Sequence, residues 1–115
     1  MMKAKVTFKN MDHSNPMEDY AQDQLAKIYH FMENEPTPVH IELVLEPSHV
    51  HAHHKIELRV KSPNYSRVST YEGPEFYDVL DRVIDTMYKE LHEDKSRHVD
   101  ERKMLGRHDD FKKQR

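Results

Sequence analysis

"YEGPEFYDVLDRVIDTMYKEL", residues 71–91, holds a chain break, a helix start and then the most regular apolar repeat of the protein. Gly73 followed by Pro74 stops any strand that precedes it, and a proline is tolerated in the first turn of a helix because its missing N–H would be unpaired there anyway. Phe76, Val79, Leu80, Val83, Met87 and Leu91 then recur at three- and four-residue spacing. That period places all six on one helix face, which requires an apolar surface to cover it.

The residues upstream read as that surface. "YSRVST" (65–70) is a strand, separated by the turn "SPN" (62–64) from a strand in which Ile56, Leu58 and Val60 alternate with Lys55, Glu57, Arg59 and Lys61. Before it, Val39, Ile41, Leu43 and Leu45 alternate with His40, Glu42 and Glu46 until Pro47, and at the start "KAKVTFK" (3–9) sets Ala4, Val6 and Phe8 against Lys3, Lys5, Thr7 and Lys9. Alternation of this kind marks half-buried strands. Between the first two strands, "NPME" (15–18) predicts a helix with Asn15 at the N-cap, Pro16 at its first position and Glu18 closing a capping box. Met17, Tyr20, Ala21, Leu25, Ile28 and Met32 carry its apolar face, and "ENEPTP" (33–38) ends it.

The order β-α-β-β-β-α predicts an α+β fold: one four-stranded mixed sheet with two helices packed on one face, like a double-stranded-RNA-binding domain. A right-handed crossover makes the first two strands parallel, and hairpins join the rest. From about Ser96 the apolar spacing fades into "RHVDERKMLGRHDDFKKQR" (97–115). The expectation is one domain over residues 1–97, and over 98–115 a charged tail that begins as a frayed helix and continues as disorder.

At 115 residues the chain suits one domain by length. It has no Cys, which removes disulfides, thiolate metal sites and thiol nucleophiles, and which fits a reducing compartment. The opening "MMKAKVTFKN" is neither a signal peptide nor a membrane span, so the expectation is a cytoplasmic protein. Net charge is −3 with 34% charged residues, so a nucleic-acid role has to rest on where Lys and Arg lie rather than on their sum.

Ten His, four of them within "HVHAHH" (49–54), raise a metal site. In strand geometry His49, His51 and His53 point the same way, yet no distant ligand pattern and no HExxH helix accompany them, and the expectation is a solvated hairpin connection rather than a metal site. Tyr65, Tyr71, Tyr77 and Tyr88 suit base stacking or the rim of a core. Asp78, Asp81 and Asp85 suit paired acids or a solvated helix face. With no Gly-rich phosphate loop, no nucleophile motif and no triad, the chain is expected not to be an enzyme and to need no cofactor and no small-molecule substrate. Lys3, Lys5, Lys9, Lys55, Arg59 and Lys61 form outward basic rows on the strands, interrupted by Glu42, Glu46 and Glu57. Lys27, Arg82, Lys89, Lys95 and Arg97 form a second group on the helices. Such groups suit either solubility or phosphate.

From about Lys3 to Arg97 the chain resembles the ribosome hibernation promoting factor and ribosome-associated translation inhibitor family, also called the sigma-54 modulation protein family. Glu72, Gly73, Glu75, Tyr77, Asp81, Asp85 and Leu91 fit its pattern of a Glu-Gly turn, an acidic residue, a Tyr and a helix with paired Asp. "HHKIELRV" (53–60) is similar to its strand after the long hairpin. The resemblance implies that the histidine run is a connection rather than a metal site. It also implies a partner, the small ribosomal subunit and its rRNA, with basic residues of both helices and the sheet edge facing the channel where messenger and transfer RNA lie. Lys27, Lys89, Lys95 and Arg97 match the family's basic helical positions, while Gln24, Thr86 and Glu93 stand where it often has Lys. With Lys55, Arg59 and Arg82 these make the candidate RNA-binding set. The tail is shorter than the dimerising second domain of long members, which implies a short form. Translation would be silenced by steric exclusion under stress or in stationary phase. Two alternatives stay open: a protein-interaction module of the same fold with little RNA affinity, and a His-rich metal-binding protein.

Overall fold

Phe76, Val79, Leu80, Val83, Met87 and Leu91 are all buried, the most accessible being Phe76 at 5%. The computed structural model describes the backbone of residues 3–49 and 52–113, with side chains up to residue 103. Its elements are β1 (Lys5–Phe8), α1 (Asn15–Met32), β2 (His40–Pro47), β3 (His54–Lys61), β4 (Ser66–Gly73) and α2 (Phe76–Lys113). The strands form one sheet in the order β1-β2-β3-β4. β1 runs parallel to β2, with Lys5 opposite Glu42 and Phe8 opposite Leu45. β2–β3 and β3–β4 are antiparallel, with Leu43 opposite Leu58 and Leu58 opposite Ser69. This is the expected mixed sheet with both helices on one face.

Period-2 alternation decides which face that is. Ile41, Leu43, Leu45, Ile56, Leu58 and Val60 are buried beneath Ala21, Leu25, Ile28 and Met32 of α1 and the stripe of α2, which Ile84 completes. The other face carries Lys5, Glu42, Glu46, Lys55, Glu57, Arg59 and Lys61 toward water. β1 is tied to α1 by polar contacts as well: the Ala4 N–H donates to Tyr29 Oη at 2.8 Å, and Tyr29 in turn donates to Gln22. Gly73 sits at a close approach, since a Cβ there would lie 3.0 Å from Val79 Cγ2.

Two local expectations are corrected. The N-cap of α1 is Ser14, one residue earlier than Asn15, with extended backbone and a side chain that accepts from the Met17 N–H at 3.4 Å. Glu18 closes no capping box; its carboxylate meets His13 Nε2 at 2.5 Å. Serine and asparagine cap about equally well, and Ser14 takes the role because its backbone is the extended one, just outside the helix. The second correction concerns the end of α2, which runs unbroken past Arg97 to Lys113, about 57 Å at 1.5 Å per residue. Loss of apolar spacing ends burial, with residues 100–103 all exposed, but not helicity. "DERKML" (100–105) is built of good helix formers apart from its first residue, with no Pro to break the hydrogen-bond ladder.

The histidine run joins β2 to β3, and the Ser48 N–H donates to the His53 carbonyl at 2.8 Å across the connection. His54 begins β3 with its ring 5.9 Å from that of Phe76. His51 lies outside the described residues, among which no three potential ligands gather as a metal site would need. Among the described residues, no helix is long and apolar enough to cross a membrane.

Candidate nucleic-acid interface

The seven candidate basic residues occupy three places. Four lie on or beside the outer side of α2: Lys27 and Lys95 at its seam with α1, Lys89 and Arg97 further round the helix toward β4. Lys27 on α1 donates to Asp85 and stands 5.4 Å over the Tyr88 ring. Lys89 and Arg97 share a shallow groove on α2 with Tyr88, His92, Glu93 and Ser96. Lys95 stands 5.7 Å over the Phe31 ring of α1. Helical spacing explains why Lys95 joins the aromatic row, since positions 88, 92 and 95 follow one another at four and three residues on the face toward α1, while position 97 falls on the opposite flank.

Lys55 and Arg59 instead lie on the open face of the sheet, on the far side of the molecule from the helices. There Lys55 meets Glu46 at 3.9 Å and Arg59 meets Glu57 at 2.8 Å. Cross-strand register places acid beside base at several positions of this face: Glu42 opposite Arg59, Glu46 opposite Lys55 and Lys55 opposite Glu72. Its rows are therefore nearly neutral. Arg82 is at a third place, on the flank of α2 beside the β4 edge, paired with Asp78 at 3.0 Å and 5.3 Å over the Tyr71 ring. The hydrogen bond from Arg82 to Asp78 is the main reason its guanidinium is held even more firmly protonated than usual.

Charge along the seam is graded. Toward the start of α2, Asp81 accepts from Tyr20 Oη at 3.0 Å, and burial followed by that hydrogen bond pushes the Tyr20 hydroxyl up. Asp85 is next, held by Lys27. Beyond it the seam turns aromatic and basic. Tyr88 and His92 rings are 4.4 Å apart, His92 and Phe31 4.9 Å, Phe31 and Tyr65 5.4 Å, and Tyr65 and His98 5.4 Å. Rings set in a row beside cations are the ingredients of a surface that meets unpaired bases and phosphates.

Sequence reasoning missed the cluster that anchors this region. Arg67 of β4 points inward and forks onto Asp94 at 2.8 and 2.9 Å and onto Glu90 at 2.8 Å, while Arg97 also bonds Asp94. The hydrogen bond from Arg67 is the main cause holding the Asp94 carboxyl below the usual carboxylate range. A signal was present: alternation in "YSRVST" puts Arg67 on the same side as the buried Ser69, and Glu90 and Asp94 are four residues apart on the helix that covers them. The cluster also changes the standing of Arg97, whose charge is shared with a carboxylate that is itself mostly buried. Among the described residues Lys89 and Lys95 make no ion pair.

The fold and its relatives agree. A Thermus thermophilus structure, "Protein Y N-terminal domain", superposes with a TM-score of 0.64 at 19% identity, covering 78% of this chain and 96% of that one. A ribosomal subunit interface protein from Coxiella burnetii also superposes at 0.64, with 14% identity, 83% of this chain and 99% of the other. No curated protein matches the chain significantly. The sequence profile of the Sigma 54 modulation protein / S30EA ribosomal protein family matches residues 4–99, from the residue before β1 to well inside α2. Over nearly the whole of its packed core, the chain belongs to that family.

Proposed function

We propose that the chain is a non-enzymatic, cytoplasmic ribosome-binding factor. In this reading residues 1–97 engage rRNA of the small subunit and exclude messenger and transfer RNA by occupying their channel. The observation that carries it is the outer surface of α2 and its seam with α1, where Lys27 and Lys95 stand over the rings of Tyr88 and Phe31, and Lys89 and Arg97 share a shallow groove with Tyr88 and His92, all on a surface held by a packed core. Membership of a ribosomal-protein family and likeness to a ribosomal subunit interface protein support the same partner. Recognition of this kind reads shape and phosphate rather than base sequence, which suits a blocking factor.

A second reading, a protein-interaction module of the same fold with weak RNA affinity, draws support from one feature. Lys27, Lys55, Arg59, Arg82 and Arg97 each face a carboxylate. Co-sedimentation with purified small subunits across a salt series separates the two. Under the ribosome reading the protein pellets with subunits. The double variant Lys89→Glu, Lys95→Glu then releases at lower salt with its unfolding midpoint unchanged, because exposed unpaired charges contribute little to folding. Equal pelleting of variant and parent removes the seam from the interface, and no pelleting at any salt favours the interaction module.

A further inference from the structure

Where α1 ends, the β3–β4 turn and the middle of α2 enclose an open cleft of about 670 Å³ that the family resemblance did not predict. Phe31, Tyr65 and His98 form its floor. Tyr65 is only 8% exposed, with its ring 5.4 Å from those of both Phe31 and His98. Asn34 and Asn64 stand on one wall, Lys95 and Arg102 on the other. The turn is fixed by its own hydrogen bonds: Ser62 Oγ accepts from the Tyr65 N–H at 3.2 Å and donates to Glu35 at 2.8 Å, and Asn64 donates to the same carboxylate at 3.5 Å.

We propose that this cleft receives one unpaired nucleotide of an RNA strand, its base on the aromatic floor and its two flanking phosphates on Lys95 and Arg102. A base needs one ring face to stack on with donors and acceptors at its edge; Phe31 meets Tyr65 edge to face at 71° and His98 is tilted 36° to Tyr65, so the base stacks on the more exposed His98 ring, backed by Tyr65 and bordered by two amides and Glu35. Lys95 and Arg102 are seven residues apart on α2, about 10.5 Å along its axis. That separation brackets a nucleotide inside a strand and does not converge on a single phosphate. Glu35 and Glu101 also line the cleft, and Glu35 is held by Ser62 and Asn64 as an acceptor at its rim, within reach of base amino groups. The proposal deepens the RNA-binding reading and rests on it for the source of the strand.

The test is an amide NMR titration of the full chain with the trinucleotide r(AAA), with an r(AAA) analogue lacking the middle base, and with inorganic phosphate. The expected result is saturable shifts centred on Asn34, Asn64, Tyr65, Lys95 and His98 for r(AAA). Affinity should be at least fivefold weaker for the abasic analogue, with no matching pattern for phosphate. His98→Ala and Arg102→Ala should each weaken r(AAA) at least threefold while the rest of the spectrum is retained; Arg102 lies beyond the packed core, so its variant also reports if His98→Ala disturbs the fold. Equal affinity for intact and abasic trimers, or shifts spread over Lys3, Lys5 and Lys61, overturns the cleft as a base site. A protein that pellets with small subunits yet shows no base-dependent binding loses only this proposal. One that binds r(AAA) in the cleft but does not pellet loses only the ribosome reading.

Discussion

Leu80→Ala tests the rotation of α2, on which the placement of every seam residue depends. Leu80 has no exposed surface. Truncation to Ala removes three carbons, worth about 2.4 kcal/mol at roughly 0.8 kcal/mol per buried methylene. A partly collapsed cavity adds to this at about 24 cal/mol per Å³, for a total near 3–4 kcal/mol. Against a domain stability of about 5–15 kcal/mol that is a large share, and in a domain of this size it lowers the melting temperature by roughly 10–25 °C. Asp78, two residues earlier, is the control. Its carboxylate is 50% exposed and its partner Arg82 58%, so Asp78→Ala should remove only about 0.3–0.5 kcal/mol, the usual worth of an i,i+4 pair. Urea unfolding followed by circular dichroism measures both. Comparable losses at the two positions would mean that α2 is rotated and that the surface bearing Lys89 and Lys95 does not face outward together.

Gly73→Ala should destabilise by roughly 1 kcal/mol. Crowding of Val79 at 3.0 Å costs about 1–3 kcal/mol, and the stiffer unfolded chain offsets about 0.4–1 kcal/mol of it; a stabilised variant in urea would contradict the close packing of β4 on α2. Asp94 gives a pH prediction. Its folded pKa is depressed, chiefly by the hydrogen bond from Arg67, so its contribution is complete above the unfolded carboxylate value of about 3.9 and is lost as pH falls through the lower folded value. The stability gap between parent and Asp94→Asn should therefore be flat from about pH 5 to 7 and close below about pH 4. A gap that widens on acidification would reverse the assignment.

The fold was legible because it rests on two periodicities. Residues 76–91 carry the helical one and residues 39–45 and 55–61 the alternating one, and both survive in the buried set almost unaltered. The end of α2 was misread because apolar spacing reports burial, and a helix that leaves its core keeps its backbone hydrogen bonds without it. The N-cap of α1 was misplaced by one residue because Ser14 and Asn15 are both good caps, and only backbone geometry separates them. The candidate site was less legible. Seven cations with suitable spacing fell in three places, since sequence shows which face a residue occupies but not which carboxylate lies across the strand or helix from it. Arg67 was the clearest loss: a cation on an inward-facing position needs buried acids, and these were four residues apart in plain view.

Charge pairing along the seam also bears on how tightly RNA is held. Exposed ion pairs are worth about 0–1 kcal/mol, so the carboxylates beside Lys27 and Arg97 do not remove those cations from use. They do lower the local net charge, and a Debye length of about 8 Å at physiological salt makes that local sum the relevant one. Lys27 and Arg97 are paired with Asp85 and Asp94, and Glu93 and Glu101 stand near Lys89, Lys95 and Arg102, which leaves Lys89, Lys95 and Arg102 as the cations without an ion pair among the described residues of this surface. A phosphate that meets Lys27 or Arg97 displaces a carboxylate rather than a counterion, and releases little salt. The slope of log affinity against log salt should then reflect about three phosphates, on Lys89, Lys95 and Arg102, near −2.1 on the single-strand scale. Affinity beyond that has to come from shape and from stacking on Tyr88, His92 and the rings of the cleft, which salt barely screens. A measured slope steeper than about −4, diagnostic of six or more phosphate contacts, would show that RNA engages cations on both faces of the molecule and that the seam is only part of the interface.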